Sequence, residues 1–260
     1  LVILNQIFKM ACEDDVVQRN PCSFKLSNVI SNDKTARYAI TDEEADAFIN
    51  ALTMFYSSQK YVRLAVFLLH TGLRIGECQA LTMSDIDFEK RTVSVNKQVT
   101  ELGNKKHIAT TKTTAGVRVV PLNDVAYSAL MEEIELNPPE NFVLDGYTGF
   151  IFHHNNTTFW SPNIRYNFNM AVDKYNEKRS PNMIPLPHIT PHILRHTFCS
   201  KLVQKNFPPK ALQYIMGHSS VKVSLDIYAH TSTEWILNEF AQIMTPNLTP
   251  NLTPKDQTLV

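Results

Sequence analysis

The chain has 260 residues, 43% hydrophobic, 10% aromatic and 19% charged, enough to bury a sizeable core in one large domain or one domain plus a fragment. With 25 basic and 25 acidic residues the net charge is zero, which removes any whole-protein argument for a nucleic-acid partner. No apolar run approaches the roughly 18–20 residues of a bilayer-spanning helix, and the four cysteines, Cys12, Cys22, Cys78 and Cys199, have neither metal-ligand spacing nor a compact disulfide pattern, as expected of reduced thiols in the cytoplasm.

In chain order, residues 1–19 read as the end of an amphipathic helix, with Val2, Ile3, Ile7, Phe8 and Ala11 at helical spacing, stopped by Asn20-Pro21. The start lacks the basic region and cleavage site of a secretory signal and opens mid-pattern, as expected of a piece of a longer protein. Residues 31–40 are polar and weakly periodic, an expected interdomain linker. Thr41-Asp-Glu-Glu44 forms a capping box for a helix carrying Ala47, Phe48 and Leu52. An apolar helix over 61–70 is expected to end at Gly72, with a short helix over 75–81 behind it. Three strands follow, over 92–97, 106–111 and 117–120, the last two joined through a Lys-Thr-Thr-Ala-Gly turn in one small antiparallel sheet. Further helices are expected over 124–135, near 162–178, and over 191–206, 209–216, 220–229 and 232–243, with Thr190 as N-cap and Pro191 at the first position of the helix it opens. An extended apolar piece lies at 150–152, and the tail from 247 to 260 reads as disordered.

Charge is more telling in its distribution than in its sum. Residues 178–225 hold no carboxylate but include Lys178, Arg179, Arg195, Lys201, Lys205, Lys210 and Lys222. A second basic stretch sets Lys97, Lys105, Lys106, Lys112 and Arg118 against the single Glu101. These segments suit either one positive face toward a polyanion or two ordinary solvated faces.

Several residues have chemistry to offer. His192-x-x-Arg195 stands at the start of a helix, where unpaired N–H groups favour an anion; imidazole and guanidinium together suit a phosphate, or are a surface arginine beside a half-buried histidine. Gly217-His218-Ser219 holds a histidine in a tight corner between helices, and Tyr228 follows ten residues later, by spacing alone a core tyrosine. Gly72 and Gly76 flank Arg74, and Glu77 either orients that arginine or caps the short helix. Lys112 sits at an expected hairpin tip. His153-His154, the only adjacent histidines, read as packed or solvated rather than as ligands.

Taken in order, Arg in TGLRIGE, Lys in TTKTTAGVR, His-x-x-Arg in PHILRHTF, Gly-His and then Tyr form a pattern that resembles the tyrosine recombinase family, in its phage lambda and conjugative-transposon integrase branch. The resemblance extends through LTMSDID (81–87), LRHTF (194–198) and LQYIMGH (212–218), and spans about 41–230. It implies an α+β, mostly α fold: a helical bundle with a small antiparallel three-stranded sheet. Residues 1–30 would be the remnant of a helical core-binding domain, 41–230 the catalytic domain, and 231–246 a helix exchanged between protomers or docked on its own core.

It also implies that Arg74 and Arg195 clamp the scissile phosphate, with His218 as an added donor. Tyr228 would be the nucleophile, His192 would move its proton, Lys112 would protonate the leaving 5′-oxygen, and Glu77 would support the site. Lys105, Lys106, Arg118, Lys201 and Lys222 are expected to contact DNA. The implied partners are double-stranded DNA and further copies of the chain, a dimer on one site and a tetramer in synapsis, with no metal and no nucleotide cofactor. The alternatives are a type IB topoisomerase-like enzyme, which shares the chemistry, and a DNA-binding regulator without activity.

Overall fold

The computed structural model describes residues 2–24, 38–103, 105–110, 116–218 and 220. The chain divides into two compact units, Leu1–Tyr38 and Ala39–Val260. In the first, helix α1 (Val2–Glu13) carries the expected apolar positions, and none of its residues is buried. Asn20 folds the following turn back, donating from Nδ2 to the backbone oxygen of Asn5 at 3.1 Å. Residues 31–37 of the expected linker, the expected helices beyond 220 and the tail lie outside the described residues.

The second unit is α+β and mostly helical, as the sequence implies. Helix α2 (Asp42–Thr53) opens on the expected capping box: Glu44 N–H donates to Thr41 Oγ1, and Thr41 N–H donates to the Glu44 carboxylate. After the single turn α3 (Tyr56–Gln59), helix α4 (Val62–Thr71) is apolar on most of its circumference because it is covered on most sides. Leu64, Ala65, Phe67, Leu68 and Leu69 are all buried, against α6 (Asp124–Leu136) and α8 (Pro191–Gln204). Edge-to-face rings tie the outer layers in. Phe48 of α2 meets Phe168 of α7 (Ser161–Lys178) at 5.0 Å, and Tyr61 meets Phe159 at 4.9 Å. A separate small core of Cys199, Val203, Leu212 and Met216 joins α8 to the last described helix, α9 (Pro209–Met216).

The strands are arranged differently from the sequence expectation. Strand β1 (Ile86–Asp87), β2 (Thr92–Val95) and β5 (Arg118–Pro121) make the three-stranded antiparallel sheet, in the order β1-β2-β5. Strand β3 (Lys97–Leu102) pairs with β4 (Lys105–Thr110) in a separate two-stranded hairpin. The segment expected to pair with 117–120 therefore pairs backward in the chain. The physical reason lies at 96–97 and at 103. The strand breaks after Val95, and Lys97 turns inward to a buried ion pair with Asp85. Six residues later Gly103, at φ 58°, follows Leu102, which pairs with Lys105; Gly-Asn at 103–104 of the sequence is a hairpin signal that the reading of a single sheet passed over.

Polar contacts fix this hairpin to the body. Ser161 N–H donates to Glu101 Oε1 at 2.9 Å, Ile108 N–H donates to Asp145 Oδ2 at 2.7 Å, and Lys106 donates to Thr157 Oγ1 at 3.0 Å and to the carbonyl of Thr158. Gly76 of the short helix α5 (Ile75–Gln79) packs on its backbone, where a Cβ would fall 2.7 Å from the Val99 oxygen.

Helix α4 ends as expected at Gly72, which is left-handed at φ 64° with its N–H bonded to the Leu68 carbonyl at 3.0 Å. A methyl group there would run into the ring of Phe198. Backbone strain and overpacking each contribute, so Gly72→Ala is expected to destabilise the protein by about 1–3 kcal/mol. The check is urea unfolding: a lower midpoint at unchanged slope is expected, and an unchanged midpoint would show that the turn tolerates a side chain.

Candidate active site

Three elements converge where α9 ends. Arg74 leaves the turn after Gly72 as the N-cap of α5, Arg118 begins β5, and Arg195 stands in the second turn of α8. At their centre is Glu77, only 2% exposed and three residues into the α4–α5 junction from Arg74. Each of its oxygens accepts two hydrogen bonds. Oε1 takes Arg74 Nη1 at 2.8 Å and Arg118 Nη1 at 3.0 Å; Oε2 takes the backbone N–H of Arg74 and Arg118 Nη2, both at 2.8 Å. Every lone-pair position is filled, which is how a charge this deep is tolerated. Glu77 thus both orients Arg74 and caps α5, the two options the sequence left open.

The same three guanidiniums take the last carbonyls of α9. Arg118 Nε donates to Ile215 O at 2.7 Å, Arg195 Nη2 donates to Met216 O, and Arg74 Nη2 donates to Gly217 O at 2.8 Å. Arg195 Nη1 also donates to Gly72 O at 2.6 Å, tying the end of α4 to the end of α9. Helix C-terminal carbonyls lack intrahelical donors and carry the negative end of the macrodipole, so cations belong there. Gly217 terminates the helix left-handed at φ 60°, and a Cβ on it would lie 2.8 Å from Arg118 Nη1.

Among these groups three cations face one carboxylate, and the electrostatics register the excess. Burial would raise the Glu77 carboxyl, but the Arg118 hydrogen bonds and charge, with those of Arg74, outweigh it and hold Glu77 below the usual carboxylate range. Burial, followed by the neighbouring Arg74, pulls Arg195 down to about 9, still charged at neutral pH. Arg74 keeps 38% of its side chain exposed, so the excess positive charge has an open side. An anion placed there would relieve the repulsion, and its own developing charge would meet donors already in position.

Of the other expected site residues, His218 follows Gly217 directly and is half-buried. Its N–H donates to Gln213 O at 3.1 Å, and its carbonyl accepts from Gln213 Nε2 at 3.2 Å, so the corner is fixed on both sides of the ring. His192 is exposed in the first turn of α8, whose N-cap is Thr190 with Pro191 at the first position, as the sequence indicates. Lys112, Tyr228 and Lys222 lie outside the described residues. Lys105 is exposed on β4; Lys106 lies half-buried over the Trp160 ring at 5.3 Å, and burial lowers its pKa. Lys201 is paired with Asp42.

Arg118 requires a correction. Expected among the DNA contacts, it has a fully buried side chain that bonds to Glu77 and to the carbonyls of Ile215 and Gly116 inside the protein. The signal was present in the sequence. Strand β5 alternates inward and outward, and Arg118 falls on the same inward face as Val120. A charge at an inward strand position calls for a buried counter-charge, and Glu77 supplies it. His153 is fully buried with Nε2 3.2 Å from Pro138 O, and His154 is exposed, in keeping with a packed and a solvated residue.

Comparison with known proteins places this geometry in context. A family model described as "Phage integrase family" matches residues 39–234. The chain is 34% identical over 251 residues to the transposase of transposon Tn916 from Enterococcus faecalis, covering 92% of this chain and 59% of that protein. It is 28% identical over 231 residues to the ICEBs1 integrase of Bacillus subtilis (87% of this chain, 59% of that protein), so it spans less than two thirds of these relatives. The solved structure of the Tn1549 transposon integrase in complex with a circular intermediate DNA matches with a TM-score of 0.80 at 34% identity, covering 92% of this chain and 76% of that one. The XerA recombinase shares the fold at 21% identity and a TM-score of 0.56.

The depressed Glu77 pKa fixes a pH dependence. A carboxylate held below its unfolded value stabilises the fold above the ordinary carboxylate range, and that stability is lost as pH falls through the native value. Glu77→Gln is expected to lower stability at pH 7 by about 3–5 kcal/mol, because Arg118 is left buried without its counter-charge. It should also flatten the stability loss on acidification below about pH 4.5. Urea unfolding across pH 3–7 checks both; parallel curves for the two proteins would show that Glu77 is not held in its charged form by the arginines.

Proposed function

As the chain belongs to the phage integrase family and carries the tyrosine-recombinase catalytic fold, we propose that it cuts and rejoins DNA strands by transesterification, integrating or excising a mobile element. The observation that carries the reading is the convergence of Arg74 and Arg118 on the Glu77 carboxylate, and of these two with Arg195 on the carbonyl end of α9, with excess positive charge open to solvent at Arg74. A phosphodiester suits that charge. Arg74, on the open side, and Arg195, which keeps 5% exposure, are assigned to its non-bridging oxygens, where charge grows in the pentacoordinate transition state, and His218 adds a donor from the corner.

In the first half of the cycle the Tyr228 oxygen attacks phosphorus, the P–O5′ bond breaks, and a 3′-phosphotyrosyl ester forms. The phenol has a reference pKa near 10, so its proton needs an acceptor, and His192 is assigned that transfer. Lys112 gives its proton to the departing 5′-oxygen. In the second half a 5′-hydroxyl from the partner strand attacks the phosphotyrosyl ester and the steps reverse. One phosphate ester replaces another, so no external energy source enters the balance.

The partner is double-stranded DNA, and the names of the relatives support it: the Tn1549 integrase was solved on a circular intermediate DNA and the XerH recombinase on its difH substrate. Exchange between two duplexes calls for several copies of the chain, a dimer on each site and a tetramer in synapsis. Lys105 is a candidate backbone contact, and a bacterial mobile-element enzyme of this kind works in the cytoplasm.

The test uses a nicked duplex carrying a recombination site selected from a random-sequence pool. Cleavage beside the nick releases a short 5′-hydroxyl fragment and traps the adduct. A denaturant-stable protein–DNA adduct is expected from the parent protein with chelator present, and none from Tyr228→Phe. Adduct surviving that substitution would place the nucleophile elsewhere; a selected site that is bound but never cleaved would make the protein a DNA-binding regulator.

A further inference from the structure

We propose that Arg118 is a positioning residue for strand cleavage, holding the Gly217–His218 corner and the Glu77–Arg74 pair in a fixed relation. The inference rests on the recombinase reading and extends it to a residue that cannot itself touch DNA.

The Arg118 side chain is 0% exposed, so neither phosphate nor base reaches it. Its planar fork instead bridges two parts of the site that are distant in the chain. Nη1 and Nη2 hold both oxygens of Glu77, while Nε holds the Ile215 carbonyl at 2.7 Å, three residues before His218. Nη1 also lies 3.3 Å from Gly116 O, at the exit of the segment that follows Lys112. The corner rests directly on this group, since a Cβ at Gly217 would meet Nη1 at 2.8 Å and Cζ at 3.0 Å.

Only arginine meets these demands. A lysine offers one nitrogen, which cannot span both Glu77 oxygens and a carbonyl on another element. Without the fork, Glu77 loses two of its four donors, and the Ile215 carbonyl loses its bond to the guanidinium. The apolar support for α9 comes from the small cluster Cys199, Val203, Leu212 and Met216 and from Ile215 against the main core; such contacts are not directional, so the hydrogen-bonded fork sets the position of the corner. Misplacement of a catalytic donor by about 1 Å from a distant change costs on the order of 100-fold in rate. Ground-state binding, carried by other cations, need not change.

The experiment compares Arg118→Lys with the parent on the nicked duplex described above. Three quantities are measured: the adduct-forming rate at saturating protein, the Kd, and the slope of log Kd against log salt. The rate is expected to fall about 10- to 100-fold, with Kd within about twofold and the salt slope unchanged, because no phosphate contact is lost. Combining Arg118→Lys with His218→Ala should slow cleavage by less than the product of the two single losses, because part of the Arg118 effect passes through the corner that His218 occupies.

A weakened Kd with the salt slope reduced by about one would restore Arg118 to the DNA contacts and overturn the proposal. An unchanged rate, or fully additive losses, would overturn it too. Should Arg118→Lys fail to fold, Gly217→Ala presses on the same guanidinium from the corner side and carries the same expectations. The parent and Tyr228→Phe reactions run alongside separate the two levels. No adduct from the parent sinks the recombinase reading and this inference with it; a parent adduct with an unaffected Arg118→Lys sinks this inference alone.

Discussion

One buried carboxylate organises the site. Glu77 is surrounded by cations supplied from the α4–α5 junction and from β5, and those cations, with Arg195 from α8, hold the exposed carbonyl end of α9. Neither part is stable without the other. Glu77 in an apolar pocket would be driven to protonate, and three guanidiniums without it would repel one another. The helix end contributes the remaining negative charge through its dipole rather than through a second carboxylate. The result is a site whose charges are nearly balanced inside and unbalanced toward solvent.

The surrounding fold delivers these groups. Helix α4 is buried along most of its length, so its end at Gly72 is a rigid reference point; Arg74 leaves it two residues later, and Arg195 is tied to it through the Gly72 carbonyl. Strand β5 brings Arg118 in from the sheet, and Tyr214 of α9 reaches back so that the Val119 N–H donates to its hydroxyl at 3.1 Å. Helix, sheet and corner are therefore cross-linked by polar bonds, with only a small apolar cluster between α8 and α9.

Much of this was legible in the sequence, for local reasons. The Thr41 capping box, Gly72 and Gly217 as helix ends, and Thr190-Pro191 as a helix start all depend on backbone chemistry within a few residues, and the structure agrees with each. The pairing of the strands was misread: the hairpin signal at Gly103 was passed over, and the division of 92–102 into two strands depends on a distant contact. What divides it is the inward turn of Lys97 toward Asp85, a partner twelve residues away. Arg118 was misread for a related reason. Counted as one of a basic run it looks like a nucleic-acid contact, and only its inward register in β5 shows it to be a buried counter-ion. The helix-end signals were read correctly, whereas the hairpin at Gly103 and the charges whose partners lie elsewhere in the chain were not.

The separate β3–β4 hairpin has a consequence for how the domain folds. The three-stranded sheet joins Val95 to Arg118, and closing so long a connection carries an entropic penalty that grows with the logarithm of its length. The hairpin lies inside that connection and is closed by two residues, so it can zip on a timescale of about 1–10 μs without waiting for any distant contact. Once formed, it brings Lys97 and Thr110 side by side and removes most of the intervening chain from the search. A segment that lengthens the route between two strands on paper thus shortens it in practice, and the slow, non-local step of assembly becomes a nearly local one.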